Sequence, residues 1–352
     1  MRIAVLTSGG DSPGMNAAIR TVVLTGASRG HEVIGVRRGY EGLLAGDVMY
    51  FPVGSTDGIT AYGGTILGSA RCAPFMKPEG REEACRQLQE LGIDALVVIG
   101  GNGSLTGAHL LAEAGVCRVV GLPASIDNDI GHCGLSIGVD TAVNTIVEAC
   151  DRISDTARAH RRAFIVEVMG RHCGFLAMRA GIAAEADVIL YGERQPPEDE
   201  VVERLRGVLR RAFGPDRHKQ RVLIIKAEGV AIPTARLRER LQEHLAEDCP
   251  GVDVRETILG HVVRGGHPTA LDRSIAQRLG YAAVVAAEAG ASDVMISWEP
   301  YGDPGTPTMD TSVRVVPLAT VLAETARLLD GTSPLVQSRL KMLAQVEDLL
   351  SR

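Results

Sequence analysis

The sequence predicts a doubly wound α/β fold with mostly parallel sheets, arranged as two domains. Three observations predict it. Apolar runs too short to be helices recur along the chain, a glycine-rich turn follows most of them, and segments of helical periodicity come next. The domain number follows from the length of 352 residues, more than one hydrophobic core usually serves.

The runs Ile3–Thr7, Val33–Arg37, Ala95–Ile99, Val119–Leu122, Phe164–Val168, Val188–Tyr191 and Val222–Lys226 read as strands. Most are continuously apolar rather than alternating, as strands buried on both faces of a parallel sheet are. The clearest helix is Gly138–Arg158, with Val139, Val143, Ile146, Val147, Cys150 and Ile153 along one stripe. The tail reads as two helices, Leu318–Leu329 and Pro334–Leu350, on either side of Gly331. No Pro/Ser-rich linker marks a boundary, so the domains are expected to interleave along the chain. Such a fold binds ligands at the carboxyl ends of its strands.

Composition narrows the function classes. With 41 glycines and only 3% aromatic residues, the chain suits tight turns against phosphate better than platforms for stacking nucleobases. The net charge of −6 argues against non-specific nucleic-acid or membrane binding. Within that acidic chain, residues 152–179 carry Arg152, Arg158, Arg161, Arg162, Arg171 and Arg179 with His160 and His172. The run reads either as a solvated helix face or as a patch for a small anion. Seven cysteines without a Cys-x-x-Cys pair suggest a reducing cytoplasm. Met1–Thr7 enters a strand without an apolar leader, and no apolar run approaches the roughly 18 residues of a membrane span. The pairs His132-Cys133 and His172-Cys173 lack structural-zinc spacing.

Several turns carry chemistry. Ser8-Gly9-Gly10-Asp11 through Asn16 follows the first strand, and Gly100-Gly101-Asn102-Gly103-Ser104 follows the third. Both can turn backbone N–H groups and a helix N-terminus toward phosphate. Neither is a Walker A loop, since no Gly-Lys-Ser/Thr follows. Gly63–Arg71 adds a guanidinium to a third glycine-rich segment. Pro123-Ala124-Ser125-Ile126-Asp127-Asn128-Asp129 places two carboxylates at i and i+2 after a strand. One can take a proton from an attacking hydroxyl while the other orients hydrated Mg²⁺. Glu167 to Arg171, Glu228-Gly229 and Leu259 to Gly266 supply arginine, carboxylate and histidine at later strand ends, suited to a phosphorylated polyol.

Together, from Met1 to about Arg273, these motifs resemble the phosphofructokinase family in order and spacing. The resemblance implies two Rossmann-like domains with chain crossovers between them. The larger, nucleotide-binding domain is expected over 1–138 plus 263–312, and the smaller, sugar-phosphate domain over 139–262 plus 313–352. It implies transfer of the γ-phosphoryl of ATP to the 1-hydroxyl of fructose 6-phosphate, with Mg²⁺ as cofactor. Asp127 would be the base, with Ser125, where the family usually has Thr, beside the transferred group and Arg171 stabilising its charge. Gly10, Tyr40, Arg71, Cys72, Gly101, Asn102, Gly103 and Ser104 would line the nucleotide site, and Asp129 with Asn102 the metal. Ser125, Ile126, Asp127, Met169, Gly170, Arg171, Glu228, His261 and Arg264 would hold the sugar phosphate. Arg162 and Arg255 would reach the 6-phosphate across a subunit interface. That implies a homo-oligomer, at least a dimer and by the family pattern a tetramer, with shared sites.

Three departures qualify the resemblance. Asn102 stands where the family places an acidic residue on Mg²⁺. Gly103 and Ala124 match ATP users, where pyrophosphate users carry Asp and Lys. Arg20 and Asp187 match the bacterial effector site, but Leu24, Val53 and Ser154 replace its arginines, so regulation of that kind is not expected. The alternatives are a kinase of another sugar phosphate, a pyrophosphate-dependent enzyme, or a regulatory paralogue of low activity.

Overall fold

The computed structural model describes residues 1–52, 54–214, 219–302 and 304–350, with no account of the side chains of 347–350. Its elements run in the order β1 (Arg2–Ser8), α1 (Met15–Ser28), β2 (Glu32–Val36), α2 (Gly39–Leu44), β3 (Val48–Tyr50), α3 (Pro78–Glu90), β4 (Ala95–Gly100), α4 (Asn102–Glu113), β5 (Arg118–Pro123) and α5 (Val139–His160). There follow β6 (Arg162–Val168), α6 (Phe175–Ala183), β7 (Val188–Leu190), α7 (Glu198–Phe213), β8 (Arg221–Ala227), α8 (Thr234–Asp248) and β9 (Val254–Ile258). The chain closes with α9 (Ala270–Glu288), β10 (Val294–Trp298), β11 (Thr306–Pro307), β12 (Val313–Pro317), α10 (Leu318–Leu329) and α11 (Pro334–Leu350).

Two compact units result, Met1–Thr141 with Arg264–Asp330 and Ala142–Val263 with Gly331–Arg352. The chain thus leaves the first unit, returns to it and leaves again. One difference from the expected division concerns residues 313–330. β12 pairs antiparallel with β10, Ile296 opposite Val315, and these residues therefore belong to the first unit.

The first unit holds an eight-stranded sheet in the order β11-β12-β10-β5-β4-β1-β2-β3. β1 pairs in parallel with β2 on one side and β4 on the other. The connections therefore reverse direction at β1, which opens a crevice between the carboxyl ends of β1 and β4. One core packs Ile3, Val5, Val97 and Leu122 against α1 and α9 residues such as Ile19 and Ile275. The other packs Leu6, Leu96, Val98 and Leu105 on the opposite face. These strands are apolar on both sides because helices cover both faces.

Asp272 in the first turn of α9 is fully buried, and its carboxylate accepts hydrogen bonds from the N–H groups of Gly138 (2.9 Å) and Thr141 (2.7 Å) and from the Thr141 hydroxyl (2.6 Å). An acceptor at the start of α5 satisfies helix N–H groups that have no partner of their own. Burial pushes the Asp272 carboxyl pKa up, against these bonds.

The second unit holds a four-stranded parallel sheet in the order β7-β8-β6-β9. β6 and β8 are central and buried along most of their length. Among the described residues, no helix is long and apolar enough to cross a membrane.

Candidate active site

In the first unit the ends of β1, β4 and β5 meet around a cavity of about 620 Å³. Register fixes this convergence, with Ser8 beside Gly100 and Gly100 beside Pro123. The cavity is lined by Gly10, Tyr40, Arg71, Cys72, Gly101, Asn102, Gly103 and Ser104, all expected at a nucleotide, and by Ser125, Asp127, Asp129 and Arg264. Ile126 is absent from the lining and is buried in the loop.

The segment from Ser125 to Asp129 is shaped by its middle residue. Asn128 is buried with φ 50°, a left-handed conformation that Asn tolerates better than most residues. Its amide N–H donates to Gly134 O at 3.1 Å, and its Oδ1 accepts from Ser136 N at 3.0 Å. Ser136 Oγ in turn donates to Ser125 O at 2.7 Å. Asn128 thus makes the turn, while the flanking carboxylates of Asp127 and Asp129 reach the cavity. Ser125 Oγ donates to Asp129 Oδ1 at 3.2 Å and accepts from Asp127 N at 3.3 Å.

The opposite wall is made of backbone. α4 begins at Asn102 after Gly101, so its first N–H groups face the cavity with the positive end of the helix dipole. A Cβ on Gly103 would have nothing within 4 Å. At Gly10, by contrast, a Cβ would stand 2.7 Å from Arg264 Nη1. The guanidinium occupies that space and donates to Asp11 O at 3.1 Å. Arg264, expected with the sugar-phosphate residues, thus lies against the β1 loop of the first unit.

Beyond the backbone wall lies an apolar recess. Tyr40 and Phe75 stack with ring centroids 4.0 Å apart, and Met76 and Leu110 line the same space. The Tyr40 hydroxyl donates to Ser104 O at 2.6 Å, and burial pushes its pKa far up, so it stays a neutral donor. Phe75, Met76, Thr106 and Leu110 are lining residues that sequence reasoning missed. The signal was present in Phe75-Met76, two residues beyond Arg71-Cys72, and in Thr106 and Leu110 four residues apart on α4.

Asn16 does not reach the cavity wall. Its side chain donates to Tyr62 O at 3.1 Å and accepts from Ile66 N at 2.8 Å, which fixes the Gly63–Arg71 segment. Ser69 Oγ ties the same segment to Gly9 O at 2.5 Å.

In the second unit the remaining residues fall into two groups. Met169, Gly170 and Arg171 follow β6, Glu228 follows β8, and His261 lies in the turn Gly260–Arg264 after β9. These are carboxyl ends of adjacent parallel strands. Arg162 and Arg255 share Asp253, at 3.4 and 3.0 Å. Arg162 opens β6, six positions before Val168, about 20 Å at roughly 3.3 Å per residue. Arg255, the second residue of β9, lies three positions before Ile258, about 10 Å by the same rise, so of the two it is Arg162 that stands well away from the strand ends of its own chain.

Much of the arginine-rich run proves to be local pairing. Arg152 pairs with Glu148 and Arg158 with Asp155 on the exposed face of α5, and Arg161 donates to Phe213 O. Cys133 and Cys173 are buried, and among the described residues no group of three or more His, Cys, Asp or Glu could hold a metal. Of the effector-site positions, Arg20 stands 3.7 Å from Asp57, and Asp187 accepts from Leu223 N and pairs with Lys219. Ser154 is buried, and Val53 lies outside the described residues.

The sequence pattern described as Phosphofructokinase matches residues 2–287. The chain belongs to the phosphofructokinase family. It is 50% identical over 296 residues to a Thermotoga neapolitana protein named ATP-dependent 6-phosphofructokinase, covering 84% of this chain and 89% of that one. A Natranaerobius thermophilus protein of the same name is 46% identical over 300 residues, 85% and 90% of the two chains. Among solved structures, Pichia pastoris phosphofructokinase in the T-state superposes with a TM-score of 0.87 at 34% identity. That match covers 99% of this chain but only 39% of the yeast chain. A pyrophosphate-dependent phosphofructokinase from Marinobacter aquaeolei gives a TM-score of 0.76 at 21% identity, over 91% of this chain and 84% of its own. At that identity the likeness concerns the fold alone, the two-domain, Rossmann-like fold of this family.

Proposed function

We propose that this protein is an ATP-dependent 6-phosphofructokinase, transferring the γ-phosphoryl of ATP to the 1-hydroxyl of fructose 6-phosphate. The observation that carries the reading is the pairing, in one cavity, of the Asp127 and Asp129 carboxylates with a glycine-rich wall that leads into the Tyr40–Phe75 recess. Pyrophosphate would have no use for an apolar recess; the adenine of ATP would. The open space around Gly103 points the same way.

In this reading the Asp127 carboxylate accepts the proton of the 1-hydroxyl as that oxygen attacks the γ-phosphorus. The new O–P bond forms while the bond from the γ-phosphorus to the β,γ-bridging oxygen breaks, and ADP departs with the electron pair. Backbone N–H groups at Gly101–Gly103 hold the phosphates, and Ser125 Oγ lies beside the transferred group while it orients Asp129. Arg171 stabilises the charge of the phosphoryl in flight. Met169, Gly170, Glu228, His261 and Arg264 hold the sugar phosphate.

Mg²⁺, when bound, neutralises charge on the phosphates. The residues suit an ion carried in by nucleotide: one or two carboxylates on a polar wall, completed by phosphate oxygens and water. Asp129 and the Asn102 amide oxygen are the groups that would hold it.

Arg162 and Arg255 serve the 6-phosphate of a neighbouring subunit, a role supported by the distance of Arg162 from the strand ends of its own chain and by the Asp253 that the two arginines share. The working protein is then a homo-oligomer, tetrameric by the family pattern. The free cysteines suit a reducing cytoplasm. A coupled ADP-release assay with fructose 6-phosphate, repeated with pyrophosphate as donor and with a small panel of other sugar phosphates, tests the reading. ADP release specific to fructose 6-phosphate supports it, and activity confined to pyrophosphate or to another sugar overturns it.

A further inference from the structure

The two central strands of the second unit carry a charged pair near their carboxyl ends, one residue before each strand stops. Lys226 on β8 is only 1% exposed. It stands in register with Glu167 on β6, and its Nζ lies 3.0 Å from Glu167 Oε2. The same oxygen accepts a hydrogen bond from the hydroxyl of Thr234, the first residue of α8. An unpaired lysine here would lose its hydration with nothing to replace it, so Glu167, itself held by Thr234, is what makes Lys226 tolerable.

Stability alone gives little reason for such a group. Well-packed apolar residues of similar volume serve a core as well as, or better than, a buried ion pair. What distinguishes this pair is what leaves from it. Glu167 is two residues before Met169 and four before Arg171, and its backbone carbonyl accepts from Leu259 N at 3.0 Å, two residues before His261. Lys226 is two residues before Glu228, whose N–H donates to Val168 O at 2.9 Å. The turns also touch each other, since a Cβ on Gly229 would stand 2.3 Å from Arg171 O.

We propose that Lys226, through Glu167 and Thr234, is a positioning residue that sets the spacing of the Met169–Arg171, Glu228 and His261 segments. The inference rests on the reading that these segments bind fructose 6-phosphate. Apolar side chains at 167 and 226 would keep the ladder register but let the carboxyl ends of β6 and β8 twist and splay by small amounts. An ion pair locked by a second hydrogen bond, from Thr234, holds one geometry, and the side chains beyond the strand ends inherit it.

Lys226→Met alone leaves the part-buried Glu167 carboxylate without its cation and is expected to lower Tm. The informative variant is Lys226→Met with Glu167→Gln, which removes both charges and keeps the shape and an acceptor for Thr234. It is expected to melt near wild type and to raise the KM for fructose 6-phosphate about tenfold, with the KM for ATP within about twofold of wild type. Hydrogen exchange at 168–171, 228–230 and 259–261 should rise selectively. Thr234→Val, which keeps the ion pair, is a second variant and should raise the same KM roughly two- to fivefold.

A wild-type KM for fructose 6-phosphate together with unchanged exchange, in the double variant or in Thr234→Val, overturns the proposal. A wild-type enzyme that releases no ADP with fructose 6-phosphate instead overturns the functional reading, and the exchange measurement still decides whether Lys226 orders the three segments.

Discussion

The buried Asn128 carboxamide accepts the backbone N–H of Ser136 at 3.0 Å, and this contact holds the two carboxylates beside it on the cavity wall. Asn128→Ala would leave the Ser136 N–H and the Gly134 carbonyl without that partner and would strain the left-handed backbone. The cost should be about 2 kcal/mol or more of stability. Asn128→Gly relieves the backbone but not the lost bonds. Both variants should lose kcat, with the alanine variant melting lower. Wild-type kcat in both would show that Asp127 and Asp129 keep their places without Asn128.

Gly103→Asp should impair ATP-dependent activity more than pyrophosphate-dependent activity. The new side chain has room in the fold, so stability should hold, but it projects into the nucleotide cavity with a charge that repels phosphate. Initial rates with each donor test this. Undiminished ATP-dependent turnover would mean that residue 103 does not govern donor choice.

Arg162→Ser and Arg255→Ser should each raise the KM for fructose 6-phosphate, with smaller effects on kcat, because a contact to the 6-phosphate is made before and during transfer. Oligomers mixed from an Arg162→Ser chain and an Asp127→Ser chain should regain activity, since one subunit can then lend its arginine to the base of another. Mixed oligomers with no more activity than their parents would contradict a shared site.

Asn102 leaves the cavity with two loop carboxylates, of which Asp127 is assigned to the proton and Asp129 to the metal. Asn102→Asp should therefore lower the free Mg²⁺ needed for half-maximal rate, raise kcat, or both. Magnesium titrations of wild type and variant measure it, and equal curves would assign Asn102 to specificity or to neutral drift.

Much of this was legible because apolar runs and glycines mark buried parallel strands and the turns after them. Ala95–Gly100 follows directly from Ala-Leu-Val-Val-Ile-Gly, and the glycine-rich turn after it leads into Asn102–Glu113. Val254–Ile258 was not legible. It is an edge strand with Arg255, Glu256 and Thr257 partly or fully exposed, so it shows no apolar run. Val313–Pro317 was missed because its place depends on antiparallel pairing with Val294–Trp298, a strand that itself went unread. In the site, Asp127 and Asp129 could be read from their spacing, whereas the turn made by Asn128 and the support under Asn16 depend on distant carbonyls. Lys226 read as the polar end of a strand. Only the register with Glu167 reveals it as buried.

The central claim is that Asp127 takes the proton from the 1-hydroxyl of fructose 6-phosphate as ATP gives up its γ-phosphoryl. Phosphorus NMR of a mixture with ATP, Mg²⁺ and fructose 6-phosphate, followed over time for wild type and Asp127→Ser, tests it most directly. Wild type should produce ADP and a new phosphomonoester at carbon 1. Asp127→Ser should form the same products about 10²–10⁴ times more slowly, while its KM values stay near wild type. An Asp127→Ser enzyme with wild-type rate, or a wild-type enzyme that phosphorylates fructose 6-phosphate elsewhere or not at all, would contradict it.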